Sequence, residues 1–188
     1  MAMEPLTWRQ TLRRIGADHR RLVELLGEQQ SHKPRSAYLH PSFVCALLYR
    51  ISNHLHRRKH HWFARAVWHL NVLATGSDIS EFSDLDQGLV VVRPAGVALM
   101  GKAGKNLTVM PCAGIGGEMG RRDDIGGGPG LPVLGDDVFM GAHSGILGPV
   151  RVGDRVHVGP GCAVLRDVGD DTMVLTHPPR FLTRRSQA

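Results

Sequence analysis

The sequence predicts an α+β chain. An α-helical N-terminal region, residues 1–76, leads into a parallel β-helix of about four coils over residues 77–175, with one protruding loop at 118–132 and a C-terminal tail at 176–188. Three observations carry this. The apolar spacing switches at Gly76 from a helical period to a period of six. Hydrophobic residues make up 42% of the 188 positions but aromatic ones only 5%, so small aliphatic side chains must fill the core. Glycine takes 23 positions, as a chain with many tight corners requires.

In the first region, residues from Trp8 to about Gln29 read as a helix and HKPRSAYLHP as a loop. Val44, Leu47, Leu48, Ile51 and Leu55 then fall on one helical stripe, with Ser42 as the expected N-cap. After the basic break RRKHH a second stripe follows, formed by Phe63, Ala66, Val67, Leu70 and Leu73, and Gly76 is its expected C-cap.

Beyond Gly76, steps of six from Ile79 land on Leu85, Val91, Val97, Ala103, Val109 and Ile115. The phase breaks through GGEMGRRDDIGGGPGLPV and resumes at Leu134, Met140, Ile146, Val152, Val158 and Val164. All thirteen positions are aliphatic. Such a period describes a triangular coil of three short strands, about 18 residues per turn. An antiparallel sandwich would instead show alternation with turns every 8–12 residues or so. Gly135, Gly141, Gly153 and Gly159 each follow an anchor, where a corner of unusual φ/ψ is expected.

Residues 1–76 carry 12 Lys/Arg against 4 Asp/Glu, and the remainder 11 against 13, so the net charge of +6 belongs to the helices. The patch of RRKHH with Arg50 and Arg65 lacks helix-turn-helix spacing or stacking aromatics, and reads as a solvated helical face rather than a nucleic-acid surface. Cys45, Cys112 and Cys162 form no C-x-x-C pair; Cys162 is expected to be buried and inert. With no leader-like start and no run of 18 apolar residues, a cytoplasmic protein free of membrane is expected.

The run LGDDVFMGAHSGILGPVRVGDRVHVGPGCAVLRDV, together with LLYRISNHLHRRKHHWFARAVWHLNVLATGSDI, resembles the serine acetyltransferase branch of the hexapeptide-repeat acyltransferases over residues 42 to 182. The resemblance implies a left-handed β-helix, a homotrimer or dimer of trimers, a possible partner enzyme, and acetyl-CoA or another acyl-CoA as substrate between neighbouring coils, with no metal. It implies that the loop EMGRRDDIGGGPG covers a neighbouring subunit's site.

Carried over residue by residue, the resemblance departs at the chemistry. The family's orienting Asp falls on Asp78, but its general-base His falls on Arg93 within VVRPAG. A guanidinium cannot accept the proton. Two further family histidines fall on Ser80 and Leu131, and the hexad near Ala103 is two residues shorter than the family's. Gly141, Ala142, Gly159 and Pro160 match positions that line the pantetheine, and Arg180 matches the segment flanking the nucleotide. His143 in MGAHSG falls on a corner where the family has a small residue beside the thioester channel, and is either a replacement base or a solvent-facing, channel-narrowing residue. Arg93 with Asp78 either holds a carboxylate-bearing acceptor or forms a structural pair. Two functions follow: transfer of an acetyl group to a small hydroxyl- or amine-bearing acceptor, or a degenerate homologue that binds acyl-CoA or a partner enzyme as a scaffold.

Overall fold

A computed structural model describes residues 4–29 and 34–177. Helices α1 (Trp8–Gln29), α2 (Pro41–Arg57) and α3 (His61–Thr75), with a 3-10 turn at Pro34–Leu39, precede fourteen short strands numbered β1–β14 in chain order. The strands form three parallel sheets on the faces of a prism. The first holds β1 (Asp78–Ile79), β4 (Ala98–Leu99), β7 (Gly114–Gly116), β10 (Gly145–Leu147) and β13 (Ala163–Val164). The second holds β2 (Asp84–Leu85), β5 (Lys102–Ala103), β8 (Val133–Leu134) and β11 (Arg151–Val152). The third holds β3 (Val90–Val91), β6 (Thr108–Val109), β9 (Phe139–Met140), β12 (His157–Val158) and β14 (Met173–Val174). Four complete coils result, and a fifth closes through Val168, which bridges to Val152.

The hexad anchors point inward as their aliphatic character requires, and Ile79, Leu85, Val91, Val109, Met140, Ile146 and Val158 are sealed from solvent. One anchor is displaced. Strand register sets Leu99, not Val97, level with Ile79 and Ile115. The corner from Val91 to Leu99 is two residues longer than a hexad and the next side, Leu99 to Ala103, two residues shorter, so the errors cancel. Val97 remains buried inside the long corner.

The glycines after the anchors serve a different purpose from the one expected. None of Gly135, Gly141, Gly153 or Gly159 has a positive φ. They are glycine because the next coil lies against them. A Cβ on Gly141 would sit 2.6 Å from the Pro160 nitrogen, and one on Gly135 or Gly153 would collide with the carboxylate of Asp154 or Asp170. Those carboxylates accept the Asp136 amide at 2.7 Å and the Asp154 amide at 2.9 Å, forming an aspartate ladder down one edge. The left-handed corners include instead Asn106, Cys112, Asp137, His143, Arg155 and Asp171, with φ between 55° and 61°, and glycines at other positions such as Gly96 and Gly161.

The helices also pack differently from their apolar pattern. Val44, Leu47, Leu48, Ile51 and Leu55 are only half-buried, while α2 buries Cys45, Tyr49, Arg50 and Asn53. On α3, Phe63 is 69% and Leu73 84% exposed. The cause is the partner surface. The first coil has no coil before it, so its outward backbone groups need polar partners. Tyr49 donates to the Ser83 carbonyl at 2.8 Å, and Asn53 to the Glu81 and Ser83 carbonyls at 2.9 and 2.8 Å. Arg50 donates to the Leu85 and Asp86 carbonyls at 2.5 and 2.6 Å and pairs with Asp18 at 2.8 Å. Asp18 accepts the Gly88 and Leu89 amides at 2.7 and 2.8 Å. Arg50 and Arg57 are therefore buried rather than part of a solvated face. The α2 N-cap is His40, whose Nδ1 accepts the Ser42 amide at 3.3 Å, because Pro41 opens the helix; the Ser42 hydroxyl donates to the Val92 carbonyl instead. Gly76 ends α3 in the left-handed conformation, φ 71°.

Four substitutions test this packing. Asp18→Ala leaves a buried guanidinium and two buried amides unpaired and is expected to cost about 3–5 kcal/mol in denaturant unfolding. Arg155→Ala, which breaks the exposed Arg155–Asp171 pair, leaves the midpoint unchanged. Gly153→Ala is expected to cost about 1–3 kcal/mol through overpacking, whereas Gly169→Ala, with no atom near its new methyl group, is silent.

Candidate active site

Between the third sheet and the first, the chain turns one edge of the prism once per coil. Counting two residues back from the level set Asp78, Ala98, Gly114, Gly145 and Ala163 gives Gly76, Gly96, Cys112, His143 and Gly161. All five are left-handed, with φ of 71°, 75°, 57°, 58° and 69°. Backbone bonds tie the corners into a column: Gly96 N–H to Gly76 at 2.9 Å, His143 N–H to Pro111 at 3.0 Å, and Gly161 N–H to Ala142 at 2.9 Å. Among the described residues the Cys112 and Ala142 amides find no such acceptor.

Five of the expected residues converge here. Gly141 and Gly159 are buried against the following coil, donating to the Val158 carbonyl at 2.7 Å and the Val174 carbonyl at 2.8 Å. Ala142 is half-buried, and Pro160 and His143 face solvent. Arg93 lies on the same edge, two coils before His143, inside the long corner. It is exposed and makes no ion pair among the described residues. No Arg93–Asp78 pair forms among the described residues; Asp78 accepts the Trp68 indole N–H at 2.8 Å. Arg180 falls outside the described residues.

Two features were not read from the sequence. The first is the placement of Cys112 at the corner one coil before His143, which the loop between them hides along the chain. Cys162, by contrast, is buried as expected. The second is a cleft of about 390 Å³ between the α2–α3 junction and the 118–132 loop, lined by His56, Lys59, His61, Phe82, Lys102 and Gly127 among others. Part of the RRKHH run thus lines a cavity. Arg57, at its wall, is committed to Asp84 and to the Asn53 side chain. Burial, above all, lowers the His56 pKa. The loop folds onto its own chain: Asp124 accepts the Gly126 and Gly128 amides at 2.8 and 3.2 Å, which holds its carboxyl below the usual range. Arg151 donates to the Ile125 carbonyl at 3.0 Å.

Residues 132–166 match the bacterial transferase hexapeptide family model (six repeats). The class is therefore that of the hexapeptide-repeat transferases. Serine acetyltransferase of Helicobacter pylori strain J99 is 30% identical over 151 residues, covering 78% of this chain and 84% of that protein. The Synechococcus elongatus serine acetyltransferase is 29% identical over 150 residues, 77% of this chain, and the match spans 58% of that longer protein. The chain belongs to the serine acetyltransferase family. Among solved structures, the Neisseria gonorrhoeae serine acetyltransferase superposes with a TM-score of 0.81 at 22% identity over 97% of this chain and 70% of that one. Soybean serine acetyltransferase complexed with serine gives 0.79 at 24% identity over 93% and 69%. The shared fold is the left-handed parallel β-helix behind N-terminal helices.

The corner chemistry predicts which substitutions the edge tolerates. Asn adopts the left-handed region readily and β-branched residues do not. His143→Asn should leave the melting temperature unchanged, whereas His143→Val should lose about 1–3 kcal/mol.

Proposed function

We propose that the chain is a CoA-dependent acyltransferase that moves an acetyl group onto a small hydroxyl- or amine-bearing acceptor. The supporting observation is the edge itself: Gly141, Ala142, His143, Gly159 and Pro160 stacked on consecutive coils, with the His143 imidazole exposed. Serine acetyltransferase relatives, and a structural neighbour complexed with serine, supply the substrate class.

In this reading the pantetheine lies along this edge and brings the thioester to the level of His143. The imidazole takes the proton of the acceptor hydroxyl as its oxygen attacks the thioester carbonyl. The carbon–sulfur bond then breaks and the CoA sulfur receives that proton. A free corner amide stabilises the oxyanion formed between these steps. Arg93 holds the carboxylate of the acceptor, the role left to it once pairing with Asp78 is absent. Exposed Trp62, Phe63 and Leu73 on α3 supply an apolar surface for self-association into a trimer or dimer of trimers.

Arg93 at the position of the family's base favours the second reading, a non-catalytic scaffold, and one experiment separates the two. Millimolar acetyl-CoA should raise the melting temperature, and CoA release with hydroxyl and amine acceptors should fall about 100-fold or more in His143→Asn. Stabilisation by acetyl-CoA without turnover on any acceptor supports the scaffold. A melting temperature unmoved by acetyl-CoA removes the acyltransferase reading and leaves a scaffold for a partner enzyme.

A further inference from the structure

We propose that the cleft between the α2–α3 junction and the 118–132 loop binds a small molecule that carries a phosphate or carboxylate group on an apolar body, at a site separate from the edge that bears His143.

The cleft opens at the edge between the first and second sheets, where Phe82 precedes β2 and Leu131 precedes β8. His143 stands on the other edge of the first sheet, toward the third. A volume of about 390 Å³ suits a small ligand rather than a single bridging water. Separate pieces of the fold bring basic groups to it: His56 from α2, Lys59 from the turn after it, His61 from the start of α3, and Lys102 from β5. Asp84 is the carboxylate among the lining residues, and Arg57 and Arg14 already hold it. Lys59 and Lys102 have no ion-pair partner among the described residues. Two ammonium groups thus share a concave wall without counter-charge, where lowered solvent access strengthens their pull on an anion.

The surroundings carry the same sign. Burial above all holds the His56 pKa down, and the positive groups His61, Arg65 and Arg57 add to it against the opposite pull of Glu81. His61 is the first residue of α3, whose first turn holds no acidic residue and no capping side chain, so the positive end of that helix is uncompensated. In the loop wall, the Gly126 and Gly128 amides are taken by Asp124, while the Gly127 amide has no acceptor among the described residues. A Cβ at Gly127 would lie 2.5 Å from the Pro132 carbonyl oxygen, so this wall is bare backbone by necessity. The rest of the lining is apolar. Phe82, 41% exposed, faces Pro129 and Leu131 across the cleft's membership, a surface that a bare inorganic anion would leave uncovered.

The test titrates the full chain with phenyl phosphate, benzoate and inorganic phosphate at constant ionic strength, followed by calorimetry and by histidine-ring NMR signals. One of the two aromatic probes should bind at least about tenfold more tightly than inorganic phosphate, and which one does so tells a phosphate ligand from a carboxylate. Lys102→Gln and Lys59→Asn, the latter suited to the left-handed φ of 64°, should each weaken that probe by about three- to fivefold. Phe82→Ala should remove its advantage over inorganic phosphate. The bound anion should raise the His56 pKa and leave His157, on the third sheet, unmoved. Arg13→Gln, on the exposed face of α1, should change nothing.

No binding of any probe at millimolar concentration overturns the site. Equal weakening by Arg13→Gln and Lys102→Gln overturns it too, since attraction to net charge alone would then account for binding. Displacement of the bound probe by acetyl-CoA overturns the separation from the His143 edge. Whether acetyl-CoA moves the melting temperature has no bearing on these outcomes, so this site and the acyltransferase reading stand or fall independently.

Discussion

The buried contact between Asp18 and Arg50 closes a structure that is otherwise open at its start. A stack of parallel coils satisfies each backbone group with the coil before or after, and the first coil has nothing before it. Burying an ion pair is not in itself a strong source of stability. Its value lies in what the two side chains do with their remaining atoms. Arg50 reaches two carbonyls and Asp18 two amides of the segment from Leu85 to Leu89, so one pair satisfies four backbone groups. Tyr49 and Asn53 extend the same service to Glu81 and Ser83. Everything downstream can then repeat a simple rule, because its first row is complete.

The division of charge follows from this closure. The first coil carries Asp78, Glu81, Asp84 and Asp86, and Arg14, Arg57 and Arg65 of the helices pair with the last three of these. Part of the basic front of the chain is thus the counterpart of an acidic first coil. Lys59, from the same front, and Lys102, from the second coil, line the cleft beside the loop.

Much of the fold was legible because its main requirement is local. An inward position in a narrow prism must be aliphatic whatever its neighbours are, so the six-residue phase could be read directly. The edge residues Gly141, Ala142, His143, Gly159 and Pro160 followed, since counting by six keeps them in one column. Properties that depend on a distant partner could not be read. The cause of Gly153 is the carboxylate of Asp170, and the burial of Arg50 is set by Asp18, 32 residues away. The helical stripes misled because amphipathic patterning presumes an apolar partner, whereas α2 meets the polar end of a coil. Cys112 escaped notice as a neighbour of His143 because the intervening loop breaks the count between them.

The paired irregularity around Leu99 has a consequence for how such a protein changes over generations. Two residues gained on one edge and two lost on the next leave the interior lattice undisturbed, because depth in the stack depends on the total per turn. An edge can therefore be remodelled by matched insertion and deletion, while the core remains blind to the exchange. In this chain the gain falls in the corner that bears Arg93, on the edge that also carries Cys112 and His143. Variation is thus admitted at the surface where recognition happens and withheld from the interior on which folding depends.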